Sequence, residues 1–274
     1  MPLRRNWMVF GCTVGLVSML LLASAGSAFA SASVRFVHAV PGGAPATLKI
    51  SVDGPAQATA PVSFGAVSQP LEVDPGSATF TAVPADGGAG AKPLGEADET
   101  LKEGRSYTVV ALAKESGEGA ELHVYPGDEP GEGKAIVRAI HAAPELGDPD
   151  VKVGNRVIAE SLKYGDATDY VDVPPGAAEV SVTRAGGKGG ALATKPDVPL
   201  TAGTATTAVI VGSRGEPTKI VTISESTAAP AGAPATGFGG LASDRDPSRV
   251  LVALLFAMVA GSLGAAGWML AGRR

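Results

Sequence analysis

The 274-residue chain carries 27 acidic residues against 22 lysines and arginines, which gives a formal net charge of −5. Nucleic-acid binding requires a basic surface, so this balance argues against a nucleic-acid partner. Glycine and proline contribute 37 and 21 residues, a share that is typical of a chain with many turns.

The first thirty residues (1–30) are typical of a secretory signal peptide. A positive start at Arg4 and Arg5 precedes an apolar stretch, residues 7–23. Ala28 and Ala30 frame an A-x-A cleavage site, so we expect the mature chain to start directly after Ala30. An uncleaved N-terminal anchor helix is the alternative.

A repeat of about 100 residues organises the middle of the chain. Residues 34–41, VRFVHAVP, match residues 137–144, VRAIHAAP. The shared Arg, His and Pro positions are Arg35, His38, Pro41, Arg138, His141 and Pro144. An aromatic–glycine step and then a Pro-Gly turn follow in each copy. They lie at 64–65 and 75–76 in the first copy, and at 164–165 and 175–176 in the second. The chain therefore contains two similar units in tandem.

The segments within each copy are typical of β-strands. They are short, rich in Val, Ile and Thr, and alternate apolar with polar residues, as in residues 34–39. Turn residues separate them at intervals of about ten, which predicts about seven strands per copy. We therefore predict an all-β fold of two tandem immunoglobulin-like β-sandwiches. They cover residues 31–126 and 135–224, with a Pro-, Gly- and acid-rich linker at 127–134.

The repeated V-R-x-x-H-A-x-P opening, the F/Y-G step and the P-G turn resemble the family called domain of unknown function 4397. The resemblance covers residues 33–224, in two copies. It implies an exported bacterial surface protein with a signal peptide and a C-terminal anchor. The family name carries no activity, so the resemblance adds to location and fold and not to mechanism.

The two repeated histidines raise the question of a metal site. A metal would need two or three further ligands, and the remaining histidine, His123, has no counterpart in the second copy. We expect His38 and His141 to end their strands and to hydrogen-bond to the backbone of the following loop. Arg35 and Arg138 are expected to pack or pair across strands. We find no pattern of a catalytic or cofactor-binding site, and predict neither a cofactor nor an enzyme.

Five aspartates give the second copy an acidic character. They are Asp148, Asp150, Asp166, Asp169 and Asp172. Oxygen ligands of this kind suit calcium, but their spacing matches no calcium-binding loop. We expect solvated loop acids, and the alternative is a calcium site that stiffens the second domain.

Residues 225–249 are typical of an Ala-, Pro- and Gly-rich stalk. A five-residue segment within it resembles the L-P-x-T-G sorting signal of sortase substrates, with Ala in the place of Leu. The segment consists of Ala233, Pro234, Ala235, Thr236 and Gly237. The resemblance implies cleavage between Thr and Gly and attachment to the cell wall. An ordinary linker before a permanent membrane anchor is the alternative.

The last apolar stretch, residues 250–270, contains no charged residue and is long enough to span a membrane as a helix. Arg273 and Arg274 follow in the tail at 271–274, and positive charge favours the cytoplasmic side. We therefore predict a single-pass protein of the cell membrane or cell wall. Its body faces outward, and its C-terminus is cytoplasmic before any sorting.

These features predict a non-enzymatic cell-surface protein with a structural or adhesive role and an extracellular protein or glycan as its ligand. The alternative is a cell-envelope enzyme, or its accessory module, acting on wall polymer or peptide. An enzyme should place a strongly perturbed titratable group in a deep polar pocket. A sensor whose anchor helix pairs with a partner is a third hypothesis.

Overall fold

The computed structural model describes residues 30–88, 90–114, 119–187, 189–213 and 215–226. The predictions for Ala28, the sorting segment, the membrane span and the final arginine pair concern residues outside these ranges, as does the predicted stalk from residue 227 onward. Within the described ranges, no helix is long and apolar enough to cross a membrane.

The described chain is built almost entirely of β-strands, which confirms the predicted all-β fold. The strands of the first copy are β1 (Ala32–Ala39), β2 (Ala46–Val52), β3 (Gln57–Ala58), β4 (Leu71–Val73), β5 (Gly76–Pro84), β6 (Gly95–Leu101), β7 (Ser106–Ala113) and β8 (Ala120–Pro126). Those of the second are β9 (Ala135–Ala142), β10 (Asp150–Val153), β11 (Arg156–Ala159), β12 (Val171–Val173), β13 (Gly176–Thr183), β14 (Ala193–Leu200), β15 (Thr204–Ser213) and β16 (Glu216–Ser226). A short 3-10 turn, Ala185–Gly187, precedes β14.

Copy 1, the strands β1–β8, is a sandwich of two four-stranded sheets. One sheet has the order β3-β2-β5-β6 and the other has the order β4-β1-β7-β8. Alternate side chains of each strand point to one face, and Phe36, Leu48 and Phe80 fill the space between the sheets without exposure to solvent. The alternation seen in the sequence therefore builds the core of this copy.

Copy 2, the strands β9–β16, repeats this arrangement. Its sheets have the orders β11-β10-β13-β14 and β12-β9-β15-β16, and Val137, Val180 and Ile210 lie in its core. The two central strand pairs, β1 with β7 and β9 with β15, are parallel in their copies. Two tandem sandwiches of the same topology confirm the predicted architecture.

A third apolar core lies between the two copies. It is formed by Val37, Ala39, Val110, Leu112, Ile140, Ala142, Val209, Val211 and Ile223. These side chains come from the sheet β4-β1-β7-β8 of copy 1 and the sheet β12-β9-β15-β16 of copy 2. Strands covered on both faces lose the alternation of a half-buried strand, and all eight residues of β9 are buried. The copies therefore pack face to face in one compact unit.

Residues 127–134, which we predicted as a linker, connect β8 to β9, and both ends of this connection are fixed. The Gly127 N–H donates to the Ser106 carbonyl of β7 at 2.7 Å. At the other end, Lys134 forms an ion pair with Asp172, and its carbonyl accepts the N–H of Gly203 at 2.7 Å. The connection therefore starts on copy 1 and ends on copy 2 with little free length.

Candidate functional site

The motif histidine of copy 1 is fully buried at the end of β1. Its Nδ1 accepts the Val40 N–H at 3.4 Å, and its Nε2 lies 3.2 Å from the Ala44 carbonyl oxygen. Because Nδ1 faces a donor and Nε2 faces an acceptor, His38 is neutral with its proton on Nε2. The ring thus ties the strand to the loop in which Pro41 starts a turn.

The motif histidine of copy 2 has equivalent surroundings. The Nδ1 of His141 accepts the Ala143 N–H at 3.3 Å, and its Nε2 donates to the Gly147 carbonyl at 2.7 Å. Pro144 starts the turn that lies between these two partners. Both copies therefore use the histidine as a brace between a strand and its following loop.

Burial decides the protonation of both rings. It lowers the pKa of His38 and of His141 because the charged form loses its hydration, and the hydrogen bond to a backbone carbonyl opposes the shift only in part. Both ring nitrogens are already used, so neither ring offers a lone pair to a metal. Among the residues that the structure describes, no group of three or more His, Cys, Asp or Glu side chains could hold a metal ion.

Of the five aspartates that give copy 2 its acidic character, four are exposed, as expected for loop acids, and Asp150 is the exception. Asp150 is buried, and its carboxylate accepts the Ser161 N–H at 3.0 Å and the Gly187 N–H at 3.2 Å. Asp172 forms the ion pair with Lys134. These two carboxylates therefore stabilise loops and the start of copy 2.

The aromatic–glycine step of each copy pairs with the motif histidine through the backbone. The Gly65 N–H donates to the His38 carbonyl at 2.7 Å, and the Gly165 N–H donates to the His141 carbonyl at 2.9 Å. Both glycines have a positive φ, 65° and 79°, in the left-handed region that glycine adopts without strain. The shared glycine thus follows from the turn geometry.

The aromatic residue of each step contacts the other copy. In copy 1, the Phe64 ring lies 5.8 Å from the Nζ of Lys219 on β16. In copy 2, the Tyr164 hydroxyl donates to the Ala113 carbonyl of copy 1 at 2.9 Å. In the opposite direction, the Tyr125 hydroxyl of copy 1 donates to the Gly165 carbonyl of copy 2 at 2.6 Å. The repeated step therefore joins the two sandwiches.

Arg138, the motif arginine of copy 2, is enclosed at the boundary between the copies. Its Nε donates to Thr207 Oγ1 at 3.1 Å, and Nη1 and Nη2 donate to the carbonyls of Pro126 and Tyr125 at 2.7 and 3.3 Å. The guanidinium carbon lies 4.5 Å from the Tyr170 ring centroid and 5.8 Å from that of Tyr125. Burial lowers the pKa of Arg138 and raises the pKa of both tyrosines. This arginine fixes the end of β8 to copy 2.

Arg35, the motif arginine of copy 1, has different surroundings. Its Nε lies 3.8 Å from Glu225 Oε1, a separation longer than a hydrogen bond, and both atoms are buried. Thr108 lies opposite Arg35 in the parallel pair, as Thr207 lies opposite Arg138. Within the described residues, neither the Arg35 Nε nor the buried Thr108 Oγ1 has a hydrogen-bond partner.

A polar cleft of about 450 Å³ opens beside Arg35. It lies between copy 1 and the end of β16, and its lining includes Ser33, Arg35, Pro70, Arg105, Ser224 and Glu225. Charged groups of both signs line it, and none of its described lining residues is aromatic. The cleft can offer hydrogen-bond donors and acceptors to a polar ligand.

A family model matches most of the described chain. The model is that of a domain of unknown function, DUF4397, and it matches residues 32–151 and again residues 135–244. The two matched ranges correspond to the two copies of the repeat. No curated protein matches the sequence significantly.

Several solved structures match part of the chain, each with a low sequence identity and a low TM-score. The Bacillus anthracis TIE protein is 12% identical with a TM-score of 0.22, and the match covers 70% of the present chain and 34% of that protein. A family 26 carbohydrate-binding module of Eubacterium rectale Amy13K, solved with maltoheptaose, is 14% identical with a TM-score of 0.23 and coverages of 72% and 98%. Family 41 carbohydrate-binding modules from streptococcal virulence factors are 12% identical with a TM-score of 0.24 and coverages of 69% and 96%. At such low similarity, we draw no functional argument from these structures.

Proposed function

The chain belongs to the DUF4397 family with two tandem copies, and from this premise we propose that it is a non-enzymatic protein of the cell surface. In this proposal, the chain displays a rigid pair of β-sandwiches outside the membrane. Its role is structural or adhesive, and its ligand is an extracellular protein or glycan.

The observation that carries the proposal is that the repeated motif is used for architecture. The two histidines brace loops, the aromatic–glycine steps contact the opposite copy, and Arg138 fixes β8 to copy 2. Together with the third apolar core, these contacts hold the copies as one body. A rigid scaffold positions loops and strand edges for binding, so the arrangement suits display.

The proposed surface location rests on the sequence at the two ends. Ala30, the last residue of the proposed signal peptide, is exposed, and its backbone hydrogen bonds go to Glu103 and Gly104 at the surface of copy 1. Cleavage after Ala30 would therefore leave both sandwich cores intact. The apolar stretch 250–270 and its following arginines supply the proposed anchor.

Labelling of a single cysteine tests the location. Cys12 is the chain's one cysteine, so a C12S background offers no thiol. We expect S77C, at an exposed position of β5, to react on intact cells with a maleimide reagent that cannot cross membranes. The matched control is the same variant without residues 1–30, which should react only after the cells are opened. An unlabelled S77C on intact cells would contradict the proposal.

The mass of the mature C-terminus separates the two forms of anchoring. A wall-linked chain that ends at Thr236 would establish sorting by a sortase, and an intact tail in the membrane fraction would establish a permanent anchor. In the sorted case, we expect G237A to move the protein from the wall fraction to the membrane fraction. A substitution in the same stalk, G240A, serves as the control and should leave the fractionation unchanged.

A further inference from the structure

The two copies differ at one equivalent position beside the motif arginine. Equivalent residues lie on both sides of this position. Before it, the hydroxyls of Ser68 and Thr168 accept the N–H of Phe36 and of Ala139, respectively. After it, Leu71 and Val171 pair with Val34 and Val137, respectively. The position before the strand is therefore Pro70 in copy 1 and Tyr170 in copy 2. A proline thus stands where the other copy has a phenol ring.

In copy 2, the phenol ring completes the surroundings of the arginine. The Tyr170 ring centroid lies 4.5 Å from the guanidinium carbon of Arg138, within the range of a cation–π contact. The Tyr170 hydroxyl lies 3.1 Å from Thr207 Oγ1, which also accepts the Nε of Arg138. Ring, hydroxyl and guanidinium therefore form one closed group.

In copy 1, the same group is incomplete. Pro70 supplies neither ring nor hydroxyl, and the cleft of about 450 Å³ is lined by both Pro70 and Arg35. The Arg35 Nε and Thr108 Oγ1, whose equivalents are bonded to each other in copy 2, are buried without hydrogen-bond partners among the described residues. Buried polar atoms without partners destabilise a protein and are uncommon. Of these two residues, Arg35 lines the cleft, and the lack of a partner for its Nε indicates a missing group on this side of the arginine.

We propose that this cleft binds a tyrosine side chain of a partner polypeptide, with the ring beside Arg35 in the position that Tyr170 takes beside Arg138. The guanidinium attracts the face of the ring, and the hydroxyl is a donor and acceptor for the polar side chains of the lining, such as Ser33. The cleft volume is typical of sites that bind ligands larger than a single aromatic ring, so the main chain of a peptide also has room in it. Ser224, Glu225 and Arg105 in the lining offer hydrogen bonds to that main chain.

The cleft would be the binding site of the proposed surface protein. This inference rests on the proposed function in one respect, namely that the partner is an extracellular polypeptide. Its test uses the purified full-length chain in neutral detergent micelles, with N-acetyl-L-tyrosinamide as the probe. Saturation-transfer NMR on the probe's ring protons reports binding. We expect saturable binding with a dissociation constant of about 1 to 10 mM, as for one ring with a few hydrogen bonds.

Two variants of the cleft should remove this binding. P70Y places a phenol in the cleft, as in copy 2, and R35Q removes the cation, so each should weaken the probe's affinity by at least about tenfold. The matched control is P199Y, which adds a tyrosine at an exposed position of β14 and should bind the probe like the unsubstituted chain. Thermal unfolding of each variant checks that it is folded, and either cleft variant alone is sufficient for the test.

Three results would overturn the inference. They are no saturable binding of the tyrosine probe, equal affinities in P70Y and P199Y, and binding of 4-methylphenol as tight as that of N-acetyl-L-tyrosinamide. The last would assign the cleft to free phenols instead of a polypeptide. Because the measurement uses purified protein, its failure leaves the surface-labelling result intact, and a failed labelling experiment leaves the binding result intact.

Discussion

The two copies share a fold and a motif, yet their motif arginines have different surroundings. Arg138 is 4% exposed and makes three hydrogen bonds, whereas the Arg35 side chain is 23% exposed and has one loose ion pair. The neighbours cause the difference, because Tyr170 and Tyr125 enclose Arg138 and no aromatic residue lines the cleft beside Arg35. Repetition of a residue in a tandem pair therefore does not imply repetition of its role.

The largest expected difference between the copies concerns the guanidinium groups. R138M keeps the aliphatic stem but leaves the carbonyls of Pro126 and Tyr125 without their donor, and we expect it to reduce the free energy of unfolding by about 3 kcal/mol. R35M removes a single pair whose buried atoms are 3.8 Å apart and not hydrogen-bonded, and it should reduce the free energy of unfolding by a smaller amount, about 1 kcal/mol. Urea unfolding of both full-length variants measures the difference. Equal losses would show that the two arginines contribute alike.

The glycines of the aromatic–glycine steps should show a smaller difference. G65A and G165A each force alanine into a positive φ, and we expect a loss of about 1 to 2 kcal/mol in each. The added Cβ of G165A would lie 3.3 Å from His123 and 3.5 Å from Leu112, and that of G65A would lie 3.3 Å from Val211 and displace the flexible end of Lys219. The two variants should therefore lose similar amounts of stability.

A third glycine supplies the control for this comparison. Gly154 has a φ of 56° and no heavy atom within 4 Å of an added Cβ, so G154A reports the backbone strain alone. Melting temperatures of the three variants rank the effects. A G154A variant that is less stable than G165A would contradict the role of the contacts between the copies.

The smallest expected effect is the response to pH, which the two copies should share. Burial lowers the pKa of His38 and His141 in the folded state, below the value of about 6.5 in the unfolded chain. Between these pKa values the unfolded chain binds more protons, so the stability present above about pH 6.5 is lost as the pH falls. Melting temperatures at constant ionic strength should therefore decrease from about pH 7 to about pH 5.

Substitution of both rings tests the source of this pH dependence. The double variant H38Q/H141Q has no buried histidine, so its melting temperature should vary less over the same pH range, although it is lower throughout. The pH dependence of each single variant should lie between that of the unsubstituted chain and that of the double variant. An unchanged slope in the double variant would place the pH dependence in other groups.

Much of the fold could be predicted from the sequence because local pattern determines it. The alternation in residues 34–39 predicted a strand, and β1 spans these residues. The repeat predicted two copies of one topology, and the sheet orders of the two copies agree. The packing of the copies against each other was not predicted. A signal was present in the continuous apolar runs at 109–112 and 208–211, because only strands covered on both faces lose their alternation.

The surroundings of the arginines could not be predicted in the same way. Proline and tyrosine are both ordinary residues before a short strand, so the difference between Pro70 and Tyr170 carries no local signal. The effect of this difference depends on Thr108 and Thr207. These threonines are distant in sequence from Arg35 and Arg138, and only the parallel strand pairs bring them opposite the arginines. Arg35 and Arg138 could be selected from the repeat, but not distinguished.

The connection at residues 127–134 has a consequence for how the two sandwiches stay together. Because a short tether joins two complementary sheet faces, their association is intramolecular, and the tether sets a high effective concentration. The pairing is therefore independent of how many molecules a cell makes, and dilution cannot separate the faces. A cut within the tether would make the same pairing a bimolecular equilibrium, so one proteolytic event would convert a permanent assembly into one that depends on copy number.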